Sequence, residues 1–135
     1  MPIGAPSISN LVGIRAAHHP EATPTYDRVV FDFTGAVPLI QIQYVKQLLG
    51  DGAGLPVAIT GRAILHLSCS PAQVHSDTGQ ATAPDCVKFN LPVLKEVVRA
   101  GDFEGVMSYG LGLNKKAEIR VITLVDASRV VIDMF

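Results

Sequence analysis

Arg28-Val-Val-Phe-Asp-Phe33 returns as Arg129-Val-Val-Ile-Asp-Met134, so one six-residue pattern brackets most of the chain. Its β-branched density favours strand, because stiff χ1 angles suit a pleated surface better than a helix. Successive side chains of a strand point to opposite faces. Val29, Phe31 and Phe33 therefore share one face, and Arg28, Val30 and Asp32 the other. In the second copy Val130, Ile132 and Met134 oppose Arg129, Val131 and Asp133. Each copy offers an apolar face to a core and a second face bearing an Arg and an Asp. Two such strands predict a pseudo-symmetric β protein whose function lies on a surface of strands.

Working outward, Leu11 to Ala17 reads as a strand, broken by His18-His19-Pro20-Glu21, and Tyr26 to Thr34 is the first repeat strand. Leu39 to Val45 alternates, with Ile40, Ile42 and Tyr44 facing away from Gln41, Gln43 and Val45. Val57 to Ser70 holds a long strand, in which Gly61 marks a bulge or a close backbone approach. Residues 71–85, with two Pro and one Gly, read as an irregular loop. Leu91 to Ala100 is a helix candidate: Pro92 suits its first turn, Leu94, Val97 and Val98 form a stripe, and Gly101 is a plausible stop. Phe103 to Leu113 and Ala117 to Val125 are further strands. The expectation is an all-β fold, a β-sandwich or partly closed barrel of about seven strands with one short helix. Residues 1–10 form a loose arm, and residues 11–135 a single domain.

Bulk properties narrow the function. At 135 residues, 48% of them hydrophobic, the chain is long enough for a real core. A net charge of −1 supplies no footprint for nucleic acid. No segment approaches the roughly 20 apolar residues of a membrane helix. The N-terminal residues lack a signal-peptide pattern, so the protein is either cytosolic or begins after a removed signal. The two cysteines, Cys69 and Cys86, suit one disulfide in an exported protein or two inert thiols in a reduced one.

Five blocks in order carry a family resemblance: Tyr26 to Gly35, Leu39 to Val45, Gly61 to Leu67, Ala100-Gly-Asp-Phe-Glu-Gly105 and Ser128-Arg-Val-Val-Ile-Asp133. Over about residues 11–135 the chain resembles the AMIN-like domains of actinobacterial envelope proteins, many of them lipoproteins. The resemblance implies an all-β module that targets or binds the cell envelope without catalysis. Peptidoglycan, or another envelope component, is the implied partner.

The candidate ligand-binding residues are Arg28, Asp32, Arg129 and Asp133, together with Tyr44. Arg presents a fixed fork of donors, and Asp accepts from hydroxyl or amide groups, so the pair suits polar glycan or stem-peptide carboxylates. The competing reading has these charges pair among themselves or with neighbouring strands. His18, His19, His66 and His75 with Asp77 offer zinc-ligand chemistry but show no ligand spacing. No metal and no cofactor is expected. His66 lies near Cys69, but on one strand they point to opposite faces, which argues against a nucleophilic dyad. No catalytic residue is assigned. A protein-interaction module and a small-ligand carrier with a hollow interior are the alternatives.

Overall fold

The computed structural model describes residues 8–50 and 54–135. Its strands are β1 (Ser9–His19), β2 (Tyr26–Thr34), β3 (Leu39–Val45), β4 (Ala63–Ser70), β5 (Ala72–Gln73), β6 (Cys86–Lys88), β7 (Leu94–Phe103), β8 (Val106–Leu113), β9 (Ile119–Leu124) and β10 (Arg129–Met134). They form two five-stranded sheets, in the orders β5-β1-β2-β10-β9 and β3-β4-β8-β7-β6. The architecture is all-β, as the sequence predicts, and every pairing is antiparallel except β1 with β5. No helix among the described residues is long and apolar enough to cross a membrane.

The two repeat strands pair with each other at the centre of the first sheet. Arg129 lies opposite Asp32, Val131 opposite Val30, and Asp133 opposite Arg28. The pattern encodes that register. Arg precedes Asp by four residues in both copies, so antiparallel pairing about Val30 and Val131 sets each Arg against an Asp. A slip of four residues one way would oppose Asp32 to Asp133, and the other way Arg28 to Arg129. Like charges directly opposite are destabilising, so the charges oppose misregister as well as favouring the native pairing.

The inward faces follow the alternation. Val29, Phe31 and Phe33 are buried with Val130, Ile132 and Met134. The second sheet meets them with Leu65, Leu67, Tyr109, Leu111 and Leu113, and the Phe31 and Tyr109 rings cross edge to face at 5.9 Å. Fully burying side chains of this size contributes about 1.5–3 kcal/mol each. These side chains occupy the space where a small-ligand carrier needs a chamber.

The ten strands exceed the expected seven because of β5, β6 and β7. β5 lies in the segment read as irregular, and β6 follows it. β7 replaces the helix expected over Leu91 to Ala100. It runs antiparallel between β8 and β6, with Leu94, Glu96, Val97 and Val98 buried. Two open neighbouring strands outweigh a weak helical stripe, and the Val pair favours strand. Gly101 does not stop a helix; it marks a register shift in the ladder with β8. The long strand expected from Val57 contracts to β4, while residues 54–62 approach the outer face of the second sheet. Gly61, with φ +149°, and Gly112 permit that approach: a Cβ on Gly112 would lie 1.8 Å from the Thr60 carbonyl oxygen. Leu48 packs over Gly110 on the same face. Of the arm expected over residues 1–10, residues 1–7 lie outside the described residues, and Ser9 and Asn10 already belong to β1.

Candidate functional site

Asp27 holds the two sheets in register behind the outer face. It alternates with Arg28 and so points inward, fully buried. One carboxylate oxygen accepts the backbone N–H groups of Val93 (2.6 Å) and Leu94 (2.8 Å), at the start of β7. The other lies 2.7 Å from His18 Nδ1 on β1. An acid on an otherwise apolar strand face was the visible signal of this role, and the sequence reading did not use it.

The outer face of the first sheet carries two ion clusters on either side of an apolar strip. In the first, Asp32 accepts from Arg129 Nε at 2.7 Å and from Arg15 Nε at 3.0 Å. In the second, Asp133 accepts from Arg28 through Nε at 2.7 Å and Nη2 at 3.0 Å, and from Arg120 Nε at 2.9 Å. Val30, Val131 and Ile122 lie side by side between the clusters. An open hollow of about 430 Å³ runs over this surface, lined by Arg15, Ala17, Arg28, Val30, Arg129 and Val131 among others. At one margin Tyr26 stacks on His19 at 4.8 Å and meets Phe135 at 5.2 Å, with Arg28 and Arg120 over its ring.

Asp133 is fully buried while Arg120 keeps half its side chain exposed. Burial pushes the Asp133 carboxyl up, but the hydrogen bonds from Arg28 and Arg120 outweigh it and hold the group below its ordinary value. For Asp32 the hydrogen bond from Arg15 is the largest influence; together with Arg129 it overcomes burial and lowers the carboxyl. Both acids are therefore anionic at neutral pH. The mutual-pairing alternative thus describes the carboxylates, which are saturated by their neighbours. It does not exhaust the arginines. Each engages Asp through at most two of its five N–H groups, so four guanidiniums around two carboxylates leave outward donors and excess positive charge.

The structure brings together four of the five residues singled out from sequence, but through cross-strand partners. Arg28 meets Asp133, not Asp32, because residues four apart along a strand are separated by about 13 Å. Arg15 and Arg120 were missed. Each lies on a neighbouring strand, so its role depends on the strand order. Tyr44 is not on this face. It packs from β3 against the core, its hydroxyl donates to the Ala117 carbonyl at 2.6 Å, and Lys116 sits 5.4 Å from its ring centroid.

The cysteines are both free, Cys69 buried and Cys86 exposed. They occupy β4 and β6, with β8 and β7 between, hence at least about 14 Å apart at ordinary strand spacing, beyond the reach of a disulfide. Of the two states left open by the sequence, the free thiols are the ones observed. Burial pushes the Cys69 thiol up to about 12, which leaves it protonated and unreactive at neutral pH. His66 projects from the opposite side of β4, half-buried, and burial lowers its pKa. His19 pairs with Glu21 at 3.0 Å and His75 with Asp102 at 2.7 Å. Among the described residues no group of three or more His, Cys, Asp or Glu side chains is placed to hold a metal.

The model of the AMIN-like domain family matches residues 9–135, which spans every strand of both sheets. The chain belongs to the AMIN-like domain family. Among curated proteins and solved structures none matches. AMIN-like domains are associated with envelope proteins and generally bind rather than catalyse. In this AMIN-like domain the two repeat strands, Arg28 to Phe33 and Arg129 to Met134, pair with each other and build the arginine face.

Proposed function

We propose that this AMIN-like domain is a non-enzymatic, extracytoplasmic binding module that holds peptidoglycan on the outer face of its first sheet. The observation that carries this reading is the charge ratio of that face: four guanidiniums around two saturated carboxylates, flanking an apolar strip. Peptidoglycan offers what such a face takes. Its stem-peptide carboxylates match the outward N–H groups that the arginines keep free, and the C–H faces and acetyl methyls of its sugars match the half-buried Val30 and Ile122. The aromatic group at the margin adds a flat surface of the kind that sugar rings pack on.

The test is co-sedimentation with isolated sacculi. Arg15→Ala combined with Arg120→Ala removes outward donors yet leaves Asp32 with Arg129 and Asp133 with Arg28. Saturable binding by the unaltered chain, weakened by about tenfold or more in this variant at an unchanged fold, is the expected result, since each lost charge-assisted hydrogen bond is worth about 1.5–3 kcal/mol. A folded variant that sediments as well as the unaltered chain removes the face from this reading.

A further inference from the structure

The cations that the arginine face does not use converge at a different place. Of the eleven Lys and Arg residues, Arg15, Arg28, Arg99, Arg120 and Arg129 are held in ion pairs with Asp. Five of the others, Lys46, Arg62, Lys95, Lys115 and Lys116, stand at one end of the second sheet. The topology puts them there. In the order β3-β4-β8-β7, Val45, Ile64, Gly112 and Glu96 lie side by side, so the end of β3, the start of β4, the end of β8 and the start of β7 are neighbours. Each of these four strand ends carries a cation on it or within three residues of it. At a strand spacing of about 4.8 Å the row spans roughly 14 Å.

Two open hollows, of about 750 and 560 Å³, adjoin along this row and share Gly61, Arg62 and Asn114. Among the described residues no Asp or Glu lines either hollow, and none of the five cations is in an ion pair. The contacts they do make are with neutral groups: the Lys95 ammonium donates to the Leu91 carbonyl at 2.6 Å, and Lys116 lies over the Tyr44 ring. Tyr44, anchored through its hydroxyl to the Ala117 carbonyl, positions the turn that carries Lys116.

We infer that this end of the second sheet is a second binding site, separate from the arginine face, and that its ligand is a linear polyanion bearing phosphate charges. A line of like charges held in no ion pair repels itself when empty, and a chain of regularly spaced anions relieves that repulsion along its length. Four of the five cations here are lysines, compact point charges on flexible stems that follow phosphate oxygens along a chain without a fixed geometry, whereas arginines present oriented forks. Those oriented forks are on the other face, clamped by Asp32 and Asp133. The two faces thus divide the chemistry between them.

Isothermal titration of the whole chain with sodium polyphosphate, at low and raised salt, tests the inference. Polyphosphate binds and weakens steeply with salt, while polyglutamate and vesicles of phosphatidylcholine with phosphatidylglycerol bind more weakly. Each phosphate contact removed flattens the slope of log affinity against log salt by about one, so Lys46→Gln, Arg62→Gln, Lys115→Gln and Lys116→Gln together weaken binding and flatten it by about four. Lys115→Gln with Lys116→Gln alone, both exposed, flattens the slope by about two and serves if the fourfold variant fails to fold. Arg15→Ala with Arg120→Ala leaves polyphosphate affinity unchanged. The inference is overturned if the unaltered chain ignores polyphosphate at low salt, or if folded lysine variants keep full affinity. It is equally overturned if polyglutamate binds as tightly, if vesicles bind and polyphosphate does not, or if the Arg15/Arg120 variant loses the polymer.

Discussion

Replacing Asp27 with alanine removes the acceptor shared by two buried backbone N–H groups, those of Val93 and Leu94, and the partner of His18. A buried donor left without an acceptor costs about 1–3 kcal/mol, so two of them cost about 4 kcal/mol. A chain of this size loses roughly 3–4 °C of melting temperature per kcal/mol, which puts Asp27→Ala about 14 °C below the unaltered chain. Asparagine separates hydrogen bonding from charge. Its carbonyl oxygen still accepts both amides, and its NH₂ can donate to an unprotonated His18 Nδ1, so Asp27→Asn loses only the charge-assisted part, about 1–2 kcal/mol, or about 5 °C. The chain has no Trp, so unfolding is best followed by circular dichroism, in heat and in urea. Amide exchange at Val93 and Leu94 adds a local readout, accelerated in the alanine variant and largely preserved in the asparagine one. Two results would refute the reasoning: Asp27→Ala melting within about 3 °C of the unaltered chain, or Asp27→Asn falling as far as Asp27→Ala.

Asp32 and Asp133 titrate below their ordinary values in the folded protein. Their contribution to stability is therefore complete above the unfolded carboxylate pKa of about 3.9 and disappears as the pH falls through the depressed folded values. Melting temperature measured against pH is expected to fall below about pH 4, and Asp133→Asn to flatten that acid limb; an unchanged limb counts against the ion clusters. The glycines beneath Leu48 and residues 54–62 make a second pair of expectations. Gly112→Ala drives a Cβ to 1.8 Å from the Thr60 carbonyl oxygen, a backbone atom, whereas Gly110→Ala meets side-chain methyl ends, those of Leu48 at 2.6 and 2.8 Å and of Ile59 at 3.1 Å. Thermal melts should show a loss of about 3 kcal/mol or more for Gly112→Ala and about 1 kcal/mol for Gly110→Ala, and equal losses would mean that the backbone at Thr60 moves as freely as a side chain.

The sequence by itself determined those elements whose signal is local. β2 and β3 begin and end where alternation and turn residues place them, and the inward and outward faces of both repeat strands follow from a period of two. The close approach at Gly61 was one of two readings the sequence offered, beside a bulge, because only a residue without Cβ admits a neighbouring backbone so near. Pairing lay beyond that reach, because it depends on which strands become neighbours. The segment from Leu91 to Ala100 carries a helical stripe and a β-branched run together, and the open flanks of β8 and β6 decided between them. Tyr44 read as one more residue of the binding face, yet strand order placed it on the other sheet, beside the lysine row. Arg28 and Asp32 belong to one motif but to different ion clusters. Four residues of extended chain hold them about 13 Å apart, while hydrogen bonding between strands brings each within reach of its partner from the far end of the sequence.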